Sequence, residues 1–193
     1  MNDTLKFYNI NALKYASDMG MPDENLNHFT KYLKSGAKVL ELGTGSGADA
    51  EIMLANGFDV LPTDGSEELA AIATERLGRQ VQIMQFNELE FDSAFDGVYA
   101  CASLTHAERN LLPDIVIRIN KALLGGGVVW ASFKLGEAEG YDKFGRYYNY
   151  LTPEELISVW RRNGAWSEVN MNEWLGSGYD GVETKWAAIT AFR

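Results

Sequence analysis

Cysteine is almost missing from this chain. Cys101 stands alone, so no intrachain disulfide framework can form, and the usage fits a reducing cytosol. Histidine occurs twice, at 28 and 106, and no cysteine and histidine cluster has metal-ligand spacing, so no metal is expected. Positive charge is short as well: 17 lysines and arginines face 27 aspartates and glutamates, for a formal net charge of −10. The sequence pI is about 4.7. Attraction to nucleic acid or to an anionic membrane is thereby disfavoured, and a large anionic polymer is a poor substrate. No apolar run is long enough to span a bilayer and no signal peptide is visible, which makes the cytoplasm the expected location. Internal repeats and low-complexity tracts are also lacking. What remains is an ordinary globular composition, 46% hydrophobic and 23% charged, over 193 residues. That length suits one domain, 1–193, whereas a dinucleotide-binding domain with a separate substrate domain would be cramped.

The stretch from Lys38 to Ala50 organises the rest. Val39, Leu40 and Leu42 read as a buried parallel strand, alternate glycines follow at 43, 45 and 47, and 48–56 reads as a helix. Glycine permits positive φ and removes the Cβ atoms that would keep a flat ligand off the turn. The helix that follows aims its unpaired N–H groups at whatever sits there. Two cofactor classes use such a turn. Gly43-x-Gly45-x-x-Ala48 fits the looser dinucleotide pattern, and Glu41-x-Gly43-x-Gly45-x-Gly47 resembles motif I of the class I S-adenosylmethionine (SAM) methyltransferases. Glu41 tips the balance, because a carboxylate at the strand end repels a pyrophosphate and attracts the cationic amino-acid end of SAM.

Residues 1–24 carry Phe7, Tyr8, Tyr15 and Met19 without clean periodicity and read as an irregular lid, followed by a helix with Leu26, Phe29 and Leu33 on one face. A second strand, 58–63, ends at Asp64-Gly65-Ser66. Ser66 is a good N-cap for the next helix, and Asp64 can accept both ribose hydroxyls, a duty common to NAD and SAM sites. A third strand runs from Val81 through Ile83 towards Gln85. The stretch from Phe95 to His106 carries the fourth strand, with Asp96 at its start, far from the crevice and structural. Cys101 has no basic neighbour to activate it and reads as packing. His106 follows just past the strand end, where its ordinary pKa suits proton transfer and its ring also suits packing or capping. An amphipathic helix over 111–123 stops at Gly125-Gly126-Gly127, taken as a left-handed cap before a fifth strand, 128–133. The stretch 134–150, rich in glycine, charge and aromatics, reads as a substrate cover with Arg146 and Tyr148 as candidate acceptor contacts. Thr152-Pro153-Glu154-Glu155 is a capping box, and two closing strands, 166–174 and 185–192, have room only for an antiparallel hairpin.

From Leu26 to Phe192 these motifs together resemble a class I SAM-dependent methyltransferase, nearest to small bacterial methyltransferase-domain and tellurite-resistance-like proteins. Thr44 stands where a cysteine is frequent and Ala48 where an arginine is frequent before Asp49. The resemblance implies an α/β fold: a three-layer Rossmann-like sandwich around a seven-stranded, mostly parallel sheet with an antiparallel C-terminal hairpin. It implies SAM as cofactor, S-adenosylhomocysteine as product, and a cofactor set of Glu41, Gly43, Thr44, Gly45, Gly47, Asp64, Gly65, Ser66, Gln85, Phe86 and Cys101. Gln85 falls where the family often has an aspartate facing adenine, and Tyr8 and Tyr15 fall where many small methyltransferases fold an aromatic arm over the sulfonium. The implied reaction is in-line methyl transfer to a small-molecule acceptor, with His106 the candidate for taking a proton. The rival readings are a short NAD-dependent oxidoreductase and a non-catalytic SAM-binding protein. Nothing in the sequence specifies an oligomeric state.

Overall fold

A computed structural model describes residues 3–193. The seven strands of the main sheet follow the order β3-β2-β1-β4-β5-β9-β8. β1 (Lys38–Leu42), β2 (Asp59–Asp64), β3 (Gln82–Ile83), β4 (Phe95–Ala100) and β5 (Leu123–Lys134) run parallel. β9 (Glu183–Phe192) enters antiparallel beside β5 and pairs outward with β8 (Glu168–Ser177), as the two helix-free closing strands require. Chain order reverses between β1 and β4, and at such a switch point the strand ends leave a crevice.

Alternation along the central strands builds the two faces. Leu40, Leu42, Val98, Ala100, Val129 and Ala131 join the core under α5 (Leu112–Ala122) and α6 (Pro153–Arg162). Val39, Tyr99, Val128 and Trp130 turn the other way, against α2 (Leu26–Thr30) and α3 (Ala48–Ala55). Covering both faces with helices yields the three layers. α4 (Glu67–Leu77) starts at Ser66, whose side chain accepts the Leu69 N–H, and α6 starts at the Thr152–Glu155 capping box. Asp96 accepts the Lys38 N–H at 2.8 Å, at the end of the sheet away from the crevice.

Three expectations need correction. The lid is not irregular: α1 (Asp3–Asp18) is a helix lying over the crevice, and residues 1 and 2 of the expected lid are outside those described. The triple glycine caps no helix, because β5 already begins at Leu123 and Gly126 takes its positive φ of 82° inside that strand. The cover segment is partly ordered as a hairpin, β6 (Gly140–Tyr141) with β7 (Tyr147–Tyr148). Among the described residues no helix is long and apolar enough to cross a membrane.

Candidate active site

The carboxyl ends of β1, β2 and β4, with α1 as roof, enclose a cavity of about 350 Å³. Its floor is the glycine turn. Gly43 holds a φ of 79°, and a Cβ there would lie 2.5 Å from the Ser103 Cβ, so only glycine lets the turn and the post-β4 loop meet. Gly47, at φ 80°, is the N-cap of α3 and does not line the cavity. Thr44 is buried behind the turn and donates its hydroxyl to Glu41. Glu41 is only 2% exposed, and burial without a cationic partner raises its carboxyl to about 8. It too stands behind the cavity wall.

Asp64 does face the cavity. One carboxylate oxygen accepts the Gly45 N–H and the other the Ser66 N–H, both at 2.8 Å, and the Gly65 N–H also acts on the carboxylate. Burial raises this carboxyl above its ordinary value. Ser66 is wholly buried, capping α4 and donating to Asn9 of α1 at 2.6 Å. Gly65, Gln85 and Phe86 line the wall, joined by Leu69, Met84, Leu111 and Ile115, which make this end apolar. Glu88 accepts the Gln85 N–H at 2.7 Å and so fixes a short 3-10 turn, Phe86–Glu88.

After β4 the chain kinks at Ala102, whose φ of 50° is unusual for a residue with a Cβ. The Ala102 N–H is held by the Ser132 hydroxyl at 2.8 Å, and the Ser103 hydroxyl donates to the Leu42 carbonyl at 2.6 Å. Cys101 lines the cavity, but burial pushes its thiol well above the ordinary range, which removes it as a nucleophile.

Tyr8, Tyr15 and His106 also line the cavity, Tyr15 lying close over Gly45 of the turn. His106 Nδ1 lies 2.6 Å from the Tyr147 carbonyl oxygen, which can only accept, so Nδ1 carries the proton. Nε2 is then an acceptor, and the Tyr8 hydroxyl 2.9 Å away donates to it. Burial drives the imidazole down to about 4 and raises the Tyr8 phenol to about 12, so both are neutral at pH 7. Arg146 donates Nη1–H to the Tyr8 oxygen at 3.0 Å. Neither Arg146 nor Tyr148 lines the cavity: Arg146 is buried behind Tyr8, and Tyr148 packs its ring 4.4 Å from that of His106. The expected acceptor contacts are therefore one layer too deep, because Asp142 draws the guanidinium inward with contacts of 2.9 and 2.6 Å.

Several wall residues lay outside the expected site: Thr4, Leu5, Asn87, Ser103, Ala107 and Glu108. Ser103 alone was findable, as the small residue that must face the first glycine of the turn. Among the described residues no group of histidine, cysteine or carboxylate side chains could hold a metal ion.

Residues 15–165 match a family described as a methyltransferase domain. An uncharacterized methyltransferase of Staphylococcus carnosus is 27% identical over 113 residues, covering 58% of this chain and 55% of the relative. The chain spans about half the length of the curated relatives it matches. Among solved structures, a SAM-dependent methyltransferase of Methanosarcina mazei superposes with a TM-score of 0.77 at 16% identity, covering 90% of this chain and 99% of that one. Phosphoethanolamine N-methyltransferase 2 of Haemonchus contortus, in complex with phosphomonomethylethanolamine and S-adenosylhomocysteine, has the same TM-score of 0.77 at 16% identity. That likeness covers 100% of this chain and 61% of the other. With a methyltransferase sheet order, a glycine turn under a buried acceptor carboxylate, and a family match over most of its length, the chain belongs to the class I SAM-dependent methyltransferase family.

Proposed function

We propose that this chain, read as one domain over 1–193, transfers the methyl group of SAM to a small-molecule acceptor and releases S-adenosylhomocysteine. The observation that carries this is one cavity lined both by the Asp64 carboxylate with its glycine floor and by the Tyr8–His106 hydrogen-bonded pair. The residues fit the cofactor, since Gly43 and Gly45 present bare backbone and the Asp64 carboxylate, an acceptor held in place by backbone N–H groups, faces the cavity. When bound, SAM supplies an activated methyl on a sulfonium together with its own leaving group. The protein's share is alignment and exclusion of water, which can supply roughly 7–11 kcal/mol when the geometry is right.

Asp64 grips the ribose, the apolar wall of Leu69, Met84 and Phe86 takes the adenine, and Gln85 supplies a polar contact at its edge. Glu41, behind the turn, favours the ligand's ammonium by its charge across the glycine backbone rather than by contact. Tyr8 and Tyr15 face the sulfonium as aromatic partners. His106, neutral with a lone pair on Nε2, takes the acceptor's proton with Tyr8 between them. The acidic balance, the roofed cavity and the lack of a surplus of cations favour a small acceptor over nucleic acid or membrane, and cytoplasmic chemistry. The Asp64 carboxylate beside the turn disfavours the pyrophosphate of NAD.

Incubation with SAM and a library of small nitrogen, oxygen and sulfur nucleophiles, with S-adenosylhomocysteine as readout, tests the reading. Release above the buffer rate, lost in Tyr8→Phe and His106→Asn, supports it. SAM binding with no release from any acceptor would favour the non-catalytic SAM-binding protein instead.

A further inference from the structure

Arg146 is a buried charge that the cavity does not use directly. Its side chain is 2% exposed and that of Asp142 is 3% exposed, so the pair is almost wholly withdrawn from water. The rings of Phe7, Tyr8, Phe144, Tyr148 and Tyr179 stand 5.2 to 5.7 Å from the guanidinium carbon. Desolvating two charges offsets much of their attraction, and an apolar side chain would fill the same aromatic box at less cost. A structural role alone therefore explains the guanidinium poorly. What an apolar side chain cannot do is donate to the Tyr8 oxygen, which Nη1 does at 3.0 Å. Asp142 makes that donation directional. Its Oδ2 takes Nε–H and Nη2–H, and its Oδ1 takes the backbone N–H groups of Phe144 and Arg146, so carboxylate and guanidinium are locked in one orientation.

A phenol has one proton and two lone pairs. With Nη1–H on one lone pair, the Tyr8 proton points to His106 Nε2, and the second lone pair is left for another donor. We propose that Arg146 is a positioning residue for methyl transfer, acting through Tyr8 to hold the phenol as a one-directional bridge between the acceptor and His106; this rests on the reading of Tyr8 and His106 given above. As the acceptor gains the methyl group it sheds its proton to the Tyr8 oxygen, and the Tyr8 proton passes to His106 Nε2. Tyrosine ends neutral, and the imidazolium keeps its Nδ1–H on the Tyr147 carbonyl until it returns a proton to solvent. The guanidinium facing the phenol oxygen stabilises any negative charge that develops there during the exchange.

The groups around His106 come from each element packed on it: Tyr8 from α1, Lys134 from β5, Tyr148 from β7, and Asp142 with Arg146 from the turn between β6 and β7. Lys134 is itself paired with Asp180 at 3.0 Å. The chain has two histidines, so long-range ¹H–¹⁵N spectra of the labelled protein resolve the His106 ring once His28→Asn assigns the other. These spectra would be recorded with S-adenosylhomocysteine bound for the wild type, Tyr8→Phe, Arg146→Met and Arg146→Lys. In Tyr8→Phe the Nε2 resonance marks a lost hydrogen bond. The expected result is that Arg146→Met moves Nε2 most of the way to that position and raises the His106 midpoint by about one pH unit, because a nearby positive charge is gone. Lysine keeps the charge but not the fork, so Arg146→Lys should move Nε2 while leaving the midpoint within a few tenths of wild type. If Arg146→Met does not fold, the Nε2 shift in Arg146→Lys decides alone. An Nε2 resonance at the wild-type position in the folded variants would overturn the proposal. Failure of the wild type to bind S-adenosylhomocysteine would instead overturn the functional reading beneath it.

Discussion

Replacing Glu41 by glutamine should make the ligand-free protein more stable and a poorer binder of SAM. The carboxyl is held at about 8 against an ordinary value of 4.5, chiefly by burial. Between those two pH values the folded state binds more protons than the unfolded one, so stability falls as pH rises through the window. At pH 7 the window has been crossed by 2.5 units, and at about 1.4 kcal/mol per unit the cost is about 3 kcal/mol. Glutamine keeps an oxygen to accept the Thr44 hydroxyl and has no charge to desolvate. Urea unfolding at pH 4.5 should therefore show near-equal stabilities, and at pH 7 a gain of about 2–4 kcal/mol for Glu41→Gln. The same variant should bind SAM about tenfold more weakly, since the field of an ionisable carboxyl behind the turn no longer favours the ligand's ammonium. In the wild type, SAM binding at pH 7 should release a proton as the ammonium draws Glu41 into its ionised form, visible as a buffer-dependent heat that the variant lacks. Parallel pH–stability profiles for the two proteins, or the same buffer dependence in both, would refute the reasoning.

Asp64→Asn should weaken SAM by about 1–3 kcal/mol through lost charge-assisted hydrogen bonds to the ribose, measured by calorimetry; unchanged affinity removes the ribose assignment. Gly43→Ala should destabilise the fold by about 1–3 kcal/mol in denaturant melts, because the φ of 79° and a Cβ 2.5 Å from Ser103 are both unfavourable. Thr152→Ala should cost about 1 kcal/mol by removing the capping-box hydroxyl from the Glu155 N–H, without affecting SAM binding.

The parallel strands, their helices and the closing hairpin were readable because apolar runs, glycines and caps are local signals. That Asp64, Gly43 and His106 line one cavity was readable because strand ends in such sheets meet at one crevice. α1 was missed for a physical reason. It turns its polar and aromatic face inward, with Tyr8, Asn9 and Tyr15 towards the site, and leaves Ile10 and Leu13 at 72% and 80% exposed, which inverts the usual apolar periodicity. The burial of Arg146 was unreadable because its partner Asp142 lies in a hairpin turn, where charged residues ordinarily face water. The triple glycine misled because a glycine run after a helix normally caps it, whereas here pairing with β4 had already begun at Leu123.

Isothermal titration with SAM, S-adenosylhomocysteine and NAD, each offered separately to the wild-type chain, bears most directly on the claim that a carboxylate-tipped glycine turn holds a sulfonium donor. Saturable binding of both adenosyl ligands and no heat from NAD is the predicted result. Binding of NAD with none of SAM would contradict it.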